Sequence, residues 1–377
     1  MFGWELPPYN SGGLGTASLG LTQGLAESGV DLDFVLPEAG PFPYDHMRIH
    51  PLPLGSALPQ PYASALGKAS QYSKWYSSAS ANLNLPPSDI IHTNDWMTYQ
   101  AGTEAKQRAL REGTVVPLVA HVHATEFDRA GMEGDRSIYA MERTGLTEAD
   151  HVVAVSAYTA EIVRKRYGVP SKKISVVHNG VVSVPHSKRK KAGKTVLFMG
   201  RMTYQKGPEY FLEMAKLILK KDPVVRFIMV GSGDQEASTI ELAAKMGLAG
   251  SVLFSSFLRG EDVSAAYRAA DLFVMPSVSE PFGLVALEAL QHGTPAIVSK
   301  QSGVAEVSGT LIQVDFWDSA KMAEIALEVL NSPRRAAALA KQGQHDVSRL
   351  SWVKSAKAVN QIYQSLIPIR PTGLAYA

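Results

Sequence analysis

Short apolar runs alternate with amphipathic stretches along most of the 377 residues. Runs of that length, separated by stretches with helical periodicity, are the pattern of stacked βα units. In the first half they predict strands at 31–36, 90–93, 118–121, 151–155 and 174–178. Helices are predicted over 14–28, 65–83, 96–111 and 157–167. Segment 37–61 is rich in proline and lacks periodicity, so it reads as a long loop. The polar, basic stretch 183–194 (SVPHSKRKKAGK) reads as a solvated interdomain linker, with a membrane-surface or polyanion contact as its alternative. The alternation then restarts with strands at 195–199, 226–230, 252–254, 272–275 and 296–299. Helices are expected at 208–220, 238–246 and 261–269, after the turn at 280–283, and from 319 onward.

Length and composition fit two α/β domains of about 150–200 residues each. Apolar residues make up 45% of the chain, enough for two buried cores. The formal charge of +2 is too balanced to suggest a nucleic-acid binder. A pI near 8.5 leaves room for weak peripheral contact with an anionic surface. Cysteine is absent, which removes disulfides and thiolate metal sites. No run reaches the roughly 18–20 apolar residues of a membrane span, and no signal peptide is visible, so a cytoplasmic location is expected.

The segment 280–288, EPFGLVALE, holds two glutamates separated by a proline and a glycine. The apolar run before it reads as a buried parallel strand, and the run after it as a helix stopped by Gly293 and Pro295. That places Glu280 in the loop after a strand and Glu288 about a turn and a half into the next helix. Ligands of open α/β sheets bind there, beside helix N-termini. A phosphorylated ligand can lie against the amides of Phe282, Gly283 and Leu284, with both carboxylates near sugar hydroxyls. The alternative is a loop glutamate and a solvated helix glutamate.

Gly12, Gly13 and Gly15 lie between the first strand and helix, where glycine lets backbone amides approach a phosphate. Arg201 and Lys206 flank the turn after strand 195–199 and can bracket a diphosphate, or form a basic surface turn. Gly231 follows the next strand, either meeting a nucleotide edge or making a turn. His121 and His123 alternate onto one face, so the residues alone do not choose between them. Glu126 and Asp128 either bind an acceptor or fix the loop, and Asp95 is expected to cap the helix at 96 in preference to an acceptor contact. Asp31 and Asp33 lie within an apolar strand and read as an edge acid pair without a metal role.

The segment SEPFGLVALEALQHGTPAI (279–297) resembles the signature of retaining glycosyltransferases of the GT-B fold, family 4, the group around glycogen, starch and sucrose synthases. SGGLGTA (11–17), TNDWMT (93–98), HVHATEFDR (121–129), VVHNGV (176–181) and GRMTYQKG (200–207) are similar to that family's other motifs and stand in its order. The resemblance implies two Rossmann-like domains facing across a cleft: 1–185 on the acceptor side and 186–351 binding the nucleotide sugar. A last helix, in 352–377, would cross back onto the first domain. It implies Gly13, Arg201 and Lys206 as diphosphate contacts, His123 near the donor sugar, Glu280 on sugar hydroxyls and Glu288 on the ribose. Family members carry a fuller first strand than 1–5, so that strand is short here or the start is trimmed. Ser11 stands where starch and bacterial glycogen synthases usually have lysine.

The implied reaction is metal-independent hexosyl transfer from a nucleotide-diphosphate donor such as ADP-glucose or UDP-glucose, needing no further cofactor. The best acceptor is an α-glucan; a lipid, sugar phosphate or cell-envelope saccharide is the alternative, and a silent glucan- or sugar-nucleotide-binding protein the other class. A nicotinamide oxidoreductase would need a GxGxxG after the first strand, which is missing.

Overall fold

The computed structural model describes residues 1–10, 12–37, 40–52, 69–182, 184 and 193–368. Most of the basic stretch 183–194, Ser11, and parts of the proline-rich segment and of the predicted helix 65–83 lie outside the described residues.

The first half contains strands β1 (Asp33–Leu36), β2 (Arg48–Pro51), β3 (Ile91–Asn94), β4 (Leu118–Val122), β5 (His151–Ala154) and β6 (Ile174–Val176). Its helices are α1 (Gly13–Glu27), α2 (Ala69–Ala81), α3 (Trp96–Arg111), α4 (Glu126–Ala130), α5 (Arg136–Glu148) and α6 (Ala157–Tyr167). β3 to β6 form a parallel sheet in chain order, and β1 pairs in parallel with β2. Phe2 bridges both Val35 and Thr93, so a single residue joins the two groups, in line with the short first strand that the sequence allowed.

The second half contains β7 (Thr195–Met199), β8 (Arg226–Val230), β9 (Val252–Ser255), β10 (Leu272–Met275), β11 (Ala296–Ser299) and β12 (Ile312–Val314). Helices α7 (Pro208–Lys221), α8 (Glu236–Lys245), α9 (Glu261–Ala269), α10 (Leu284–Gln291), α11 (Ser319–Leu330) and α12 (Pro333–Ser348) surround it. The six strands are parallel, in the order β12-β11-β10-β7-β8-β9. The order reverses between β7 and β10, which is where a doubly wound sheet opens a crevice beyond its strand ends. In the first half the reversal falls between Phe2 and β3. The segments following Phe2, β3 and β4, and those following β7 and β10, therefore supply the site.

The last helix, α13 (Trp352–Leu366), packs against α1 in the first half. The two helices approach closely because α1 presents Gly20 and Gly24. A Cβ on Gly24 would stand 2.7 Å from the Trp352 carbonyl oxygen and 2.8 Å from Ala356 Cβ. Gly24→Ala gains about 1 kcal/mol of helix propensity but overpacks this contact by about 1–3 kcal/mol. We expect a net loss of stability, read as a lower denaturation midpoint with an unchanged denaturant slope.

Besides the five-residue α4, which no prediction placed, three elements differ from the sequence expectation. β2 falls inside the predicted loop 37–61 as a short, largely exposed edge strand, too brief to show an alternation. β12 is a three-residue edge strand. α5 was not predicted, because its buried face mixes Ile138 and Leu146 with Gly145 and a buried Glu142, which breaks the apolar period.

Candidate active site

The turn after β10 and the turn after β7 meet through an ion pair. Lys206 Nζ donates to Glu280 Oε2 at 2.6 Å, and Ser277 Oγ donates to the same oxygen at 3.2 Å. Glu280 is 6% exposed. Arg201 is half-buried and makes no side-chain hydrogen bond or ion pair with the described residues, so its guanidinium is available to a ligand. Gly207, with φ 61, turns the chain from Lys206 into α7; a Cβ there would meet the Pro276 carbonyl oxygen at 2.3 Å.

Two helix starts face each other. α1 begins at Gly13 after Gly12, and α10 begins at Leu284 after Gly283; neither has a side-chain cap. A Cβ on Gly13 would lie 3.9 Å from Leu284 Cδ1. Uncapped first-turn amides carry the positive end of the helix dipole, so the gap favours an anion. On the α1 side the Glu5 carboxylate already accepts from the Gly15 amide at 3.1 Å. Gly283 has φ 110 and packs so tightly that a Cβ would meet Met275 Cε at 2.9 Å. Phe282 contributes backbone only, since its ring is buried in the core.

Glu288 is half-buried on α10, as expected from its position in that helix, and accepts from Tyr267 Oη at 2.9 Å. Burial pushes its carboxyl upward, partly opposed by the Tyr267 hydrogen bond. Beside it is a cavity of about 170 Å³, whose lining includes Thr16, Val181, Val263, Tyr267 and Leu284. Gly231 follows β8, its amide bonding the Ser255 carbonyl at 3.0 Å; a Cβ there would fall 2.0 Å from the Gly200 carbonyl oxygen, so the close turn admits only glycine.

His123 stands at the end of β4. Asn94 Nδ2 donates to the Phe2 carbonyl at 3.0 Å, so Asn94 Oδ1 is the acceptor for His123 Nε2, also at 3.0 Å. The proton therefore sits on Nε2 and the lone pair on Nδ1. Burial lowers the His123 pKa to about 4, which keeps the ring neutral at physiological pH. His121 stacks on it, ring centroids 4.3 Å apart, so the two do share a face.

Asp95 does not cap α3. Its backbone has φ 58 and ψ 173, and its side chain makes no cap bond. Instead Oδ1 accepts from the amides of His123 at 2.7 Å and Ala124 at 3.2 Å. A non-glycine residue held at such φ costs about 1–3 kcal/mol and persists where the surroundings over-determine it. Burial raises the Asp95 pKa to about 6, against the pull of Arg129 and the two amides. Falling pH therefore protonates Asp95 well before His123. We expect kcat/KM to show an acid limb near pH 6, and Asp95→Asn to remove it; a limb that persists in the variant would rule out Asp95 as its source.

Glu126 and Asp128 fix the loop. Asp128 completes a capping box with Thr125. Glu126 accepts from Arg129 Nε at 3.1 Å and from the Asp135 amide at 3.0 Å. Asp31 and Asp33 both pair with Arg48 on the first sheet's edge. Sequence reasoning missed Asn94, Tyr267, Ser277 and Ser279. Asn94 and Ser279 stood inside quoted motifs; Tyr267 and Ser277 follow no spacing rule and come to Glu288 and Glu280 only when the second half folds.

The comparisons agree with this architecture. Residues 11–183 match the family model described as Glycosyltransferase Family 4, and residues 184–346 the one described as Glycosyl transferases group 1. An uncharacterized glycosyltransferase of Methanocaldococcus jannaschii is 31% identical over 336 residues, covering 81% of each chain. The glycogen synthase of Mycobacterium tuberculosis is 28% identical, covering 96% of this chain and 93% of its own. Among solved structures, sucrose-phosphate synthase from Thermosynechococcus elongatus superposes with a TM-score of 0.78 at 23% identity, covering 97% and 98% of the two chains.

Proposed function

The chain belongs to the family 4 glycosyltransferases and has the GT-B fold, and on that footing we propose a retaining glucosyltransferase that extends an α-glucan. The observation that carries the transfer reading is the Lys206–Glu280 pair at 2.6 Å, just before the uncapped start of α10 and five residues beyond Arg201, whose guanidinium has no partner among the described residues. The likeness to glycogen synthase, over 96% of this chain, supports the glucan acceptor.

In this reading the donor diphosphate lies between Gly13 and Leu284, and Arg201 and Lys206 neutralise its charge as it leaves. Preorganised cations and amides stabilise a departing anion most where charge develops. The ammonium of Lys206 has three protons, so it can hold Glu280 and a phosphate oxygen together. Glu280 then accepts from sugar hydroxyls, and Glu288 with Tyr267 takes the ribose beside the cavity. Neutral His123 accepts a sugar hydroxyl at Nδ1. The bond from C1 to the phosphate oxygen breaks, and the bond from C1 to the acceptor oxygen forms on the same face. The acceptor proton passes to a phosphate oxygen and leaves with the nucleoside diphosphate. Arg201, Lys206 and the two helix starts supply the charge for this step, so we propose that neither metal nor further cofactor takes part.

Product analysis tests the reading. ADP-glucose and UDP-glucose are each incubated with glycogen, with and without EDTA. EDTA-resistant chain extension from either donor is expected. Nucleotide release without glycogen extension would move the acceptor to a lipid, a sugar phosphate or another saccharide; loss of extension in EDTA would overturn metal independence.

A further inference from the structure

His123 and Glu280 come from opposite halves of the chain, and one short route connects them. Ser279, directly before Glu280, donates from Oγ to Asp128 Oδ1 at 2.6 Å. Asp128 Oδ2 accepts from the Thr125 amide at 2.8 Å and from Thr125 Oγ1 at 2.7 Å. Thr125 is two residues beyond His123. Tyr158 Oη lies 2.9 Å from Ser279 Oγ. Because Ser279 has one hydroxyl proton and spends it on Asp128, Tyr158 must be the donor in that second bond. Asp128, Thr125 and Ser279 are 2%, 1% and 7% exposed, so little water competes for these bonds.

We propose that Asp128 and Ser279 are positioning residues that set Glu280 against His123 when the two halves close on the donor. The proposal rests on the transfer reading above. Both oxygens of Asp128 are spent within this network, so it acts through its neighbours. A hydrogen bond to a buried carboxylate is strong and directional. It fixes the 277–282 loop to the start of α4, and through Thr125 to the backbone that carries His123. Contacts to sugar hydroxyls from two sides work only if both sides hold register, since a misplacement of about 1 Å costs on the order of 100-fold in rate.

The test uses the full chain with Ser279→Ala, the conservative Ser279→Thr, and Tyr158→Phe, which keeps the Ser279–Asp128 bond. Three quantities are read: kcat for transfer, the Kd of the nucleoside diphosphate by calorimetry, and amide hydrogen exchange over 277–282 and 125–130. Ser279→Ala should lower kcat about 10–100-fold, on the scale of a misplaced reacting group. It should leave Kd near the wild-type value and raise exchange in both segments together. Ser279→Thr should restore rate and protection, and Tyr158→Phe should fall between. An unchanged kcat, a Kd that weakens in step with kcat, or exchange confined to one segment would overturn the proposal. If the wild-type protein transfers no sugar, the functional reading fails, while exchange and nucleotide binding still decide whether Ser279 couples the two segments.

Discussion

Glu280→Gln is expected to lower the rate of sugar transfer about 10²–10³-fold, the cost of removing one preorganised group aimed at developing charge. The substitution keeps the size of the side chain and its place after β10. It replaces an anion with an amide beside Lys206 Nζ, which now sits 2.6 Å from the carboxylate. The ammonium loses its counter-charge, and the sugar meets a neutral amide with one acceptor oxygen in place of a carboxylate with two. Nucleoside diphosphate binding should change little, because the phosphate contacts assigned to Arg201, Lys206 and the helix starts remain. The split between rate and nucleotide affinity checks the assignment: equal loss of both would make Glu280 part of the nucleotide site, and full activity would remove it from the chemistry.

The second large effect is expected at His123. His123→Ala removes the Nδ1 acceptor and leaves Asn94 Oδ1 without its donor. We expect a loss of about 10²-fold in kcat/KM, on the scale of a positioned hydrogen-bonding or proton-handling group. The acid limb assigned to Asp95 should survive, since Asp95 bonds the backbone of residues 123 and 124 and not the ring. A His123→Ala profile flat through pH 6 would transfer that limb to the histidine. Steady-state rates of the variant from pH 5 to 8 decide between them.

The βα framework was readable from the chain because each buried strand of the second half is a run of apolar residues between turn signals. β7, β8 and β10 fall where the pattern put them. The loop-and-helix placement of Glu280 and Glu288 was readable for the same reason: an apolar strand, a glycine and a helical run leave little choice of geometry. What failed was local structure that depends on burying polar groups. α5 hides Glu142 beneath Arg129 and Tyr167, so its inner face reads as solvent-exposed in sequence. Asp95 has the residue type and position of a helix cap, but the approach of the His123 backbone turns its carboxylate elsewhere. No sequence pattern reports that Ser279 donates a hydrogen bond to Asp128, 151 positions away, because that contact belongs to how the halves close.

The diphosphate contacts proposed for Arg201, Lys206 and the two helix starts are ones that any sugar nucleotide would share. Among the described residues no helix is long and apolar enough to cross a membrane.

The stereochemistry of the first product is decisive, because the proposed step forms the C1–acceptor bond on the face from which the phosphate departs. The measurement is proton NMR of the linkage formed from an α-linked glucose donor during early turnover. A new α-glucosidic linkage is expected, with the nucleoside diphosphate released in equal amount. A β-linkage would contradict it and require attack from the opposite face.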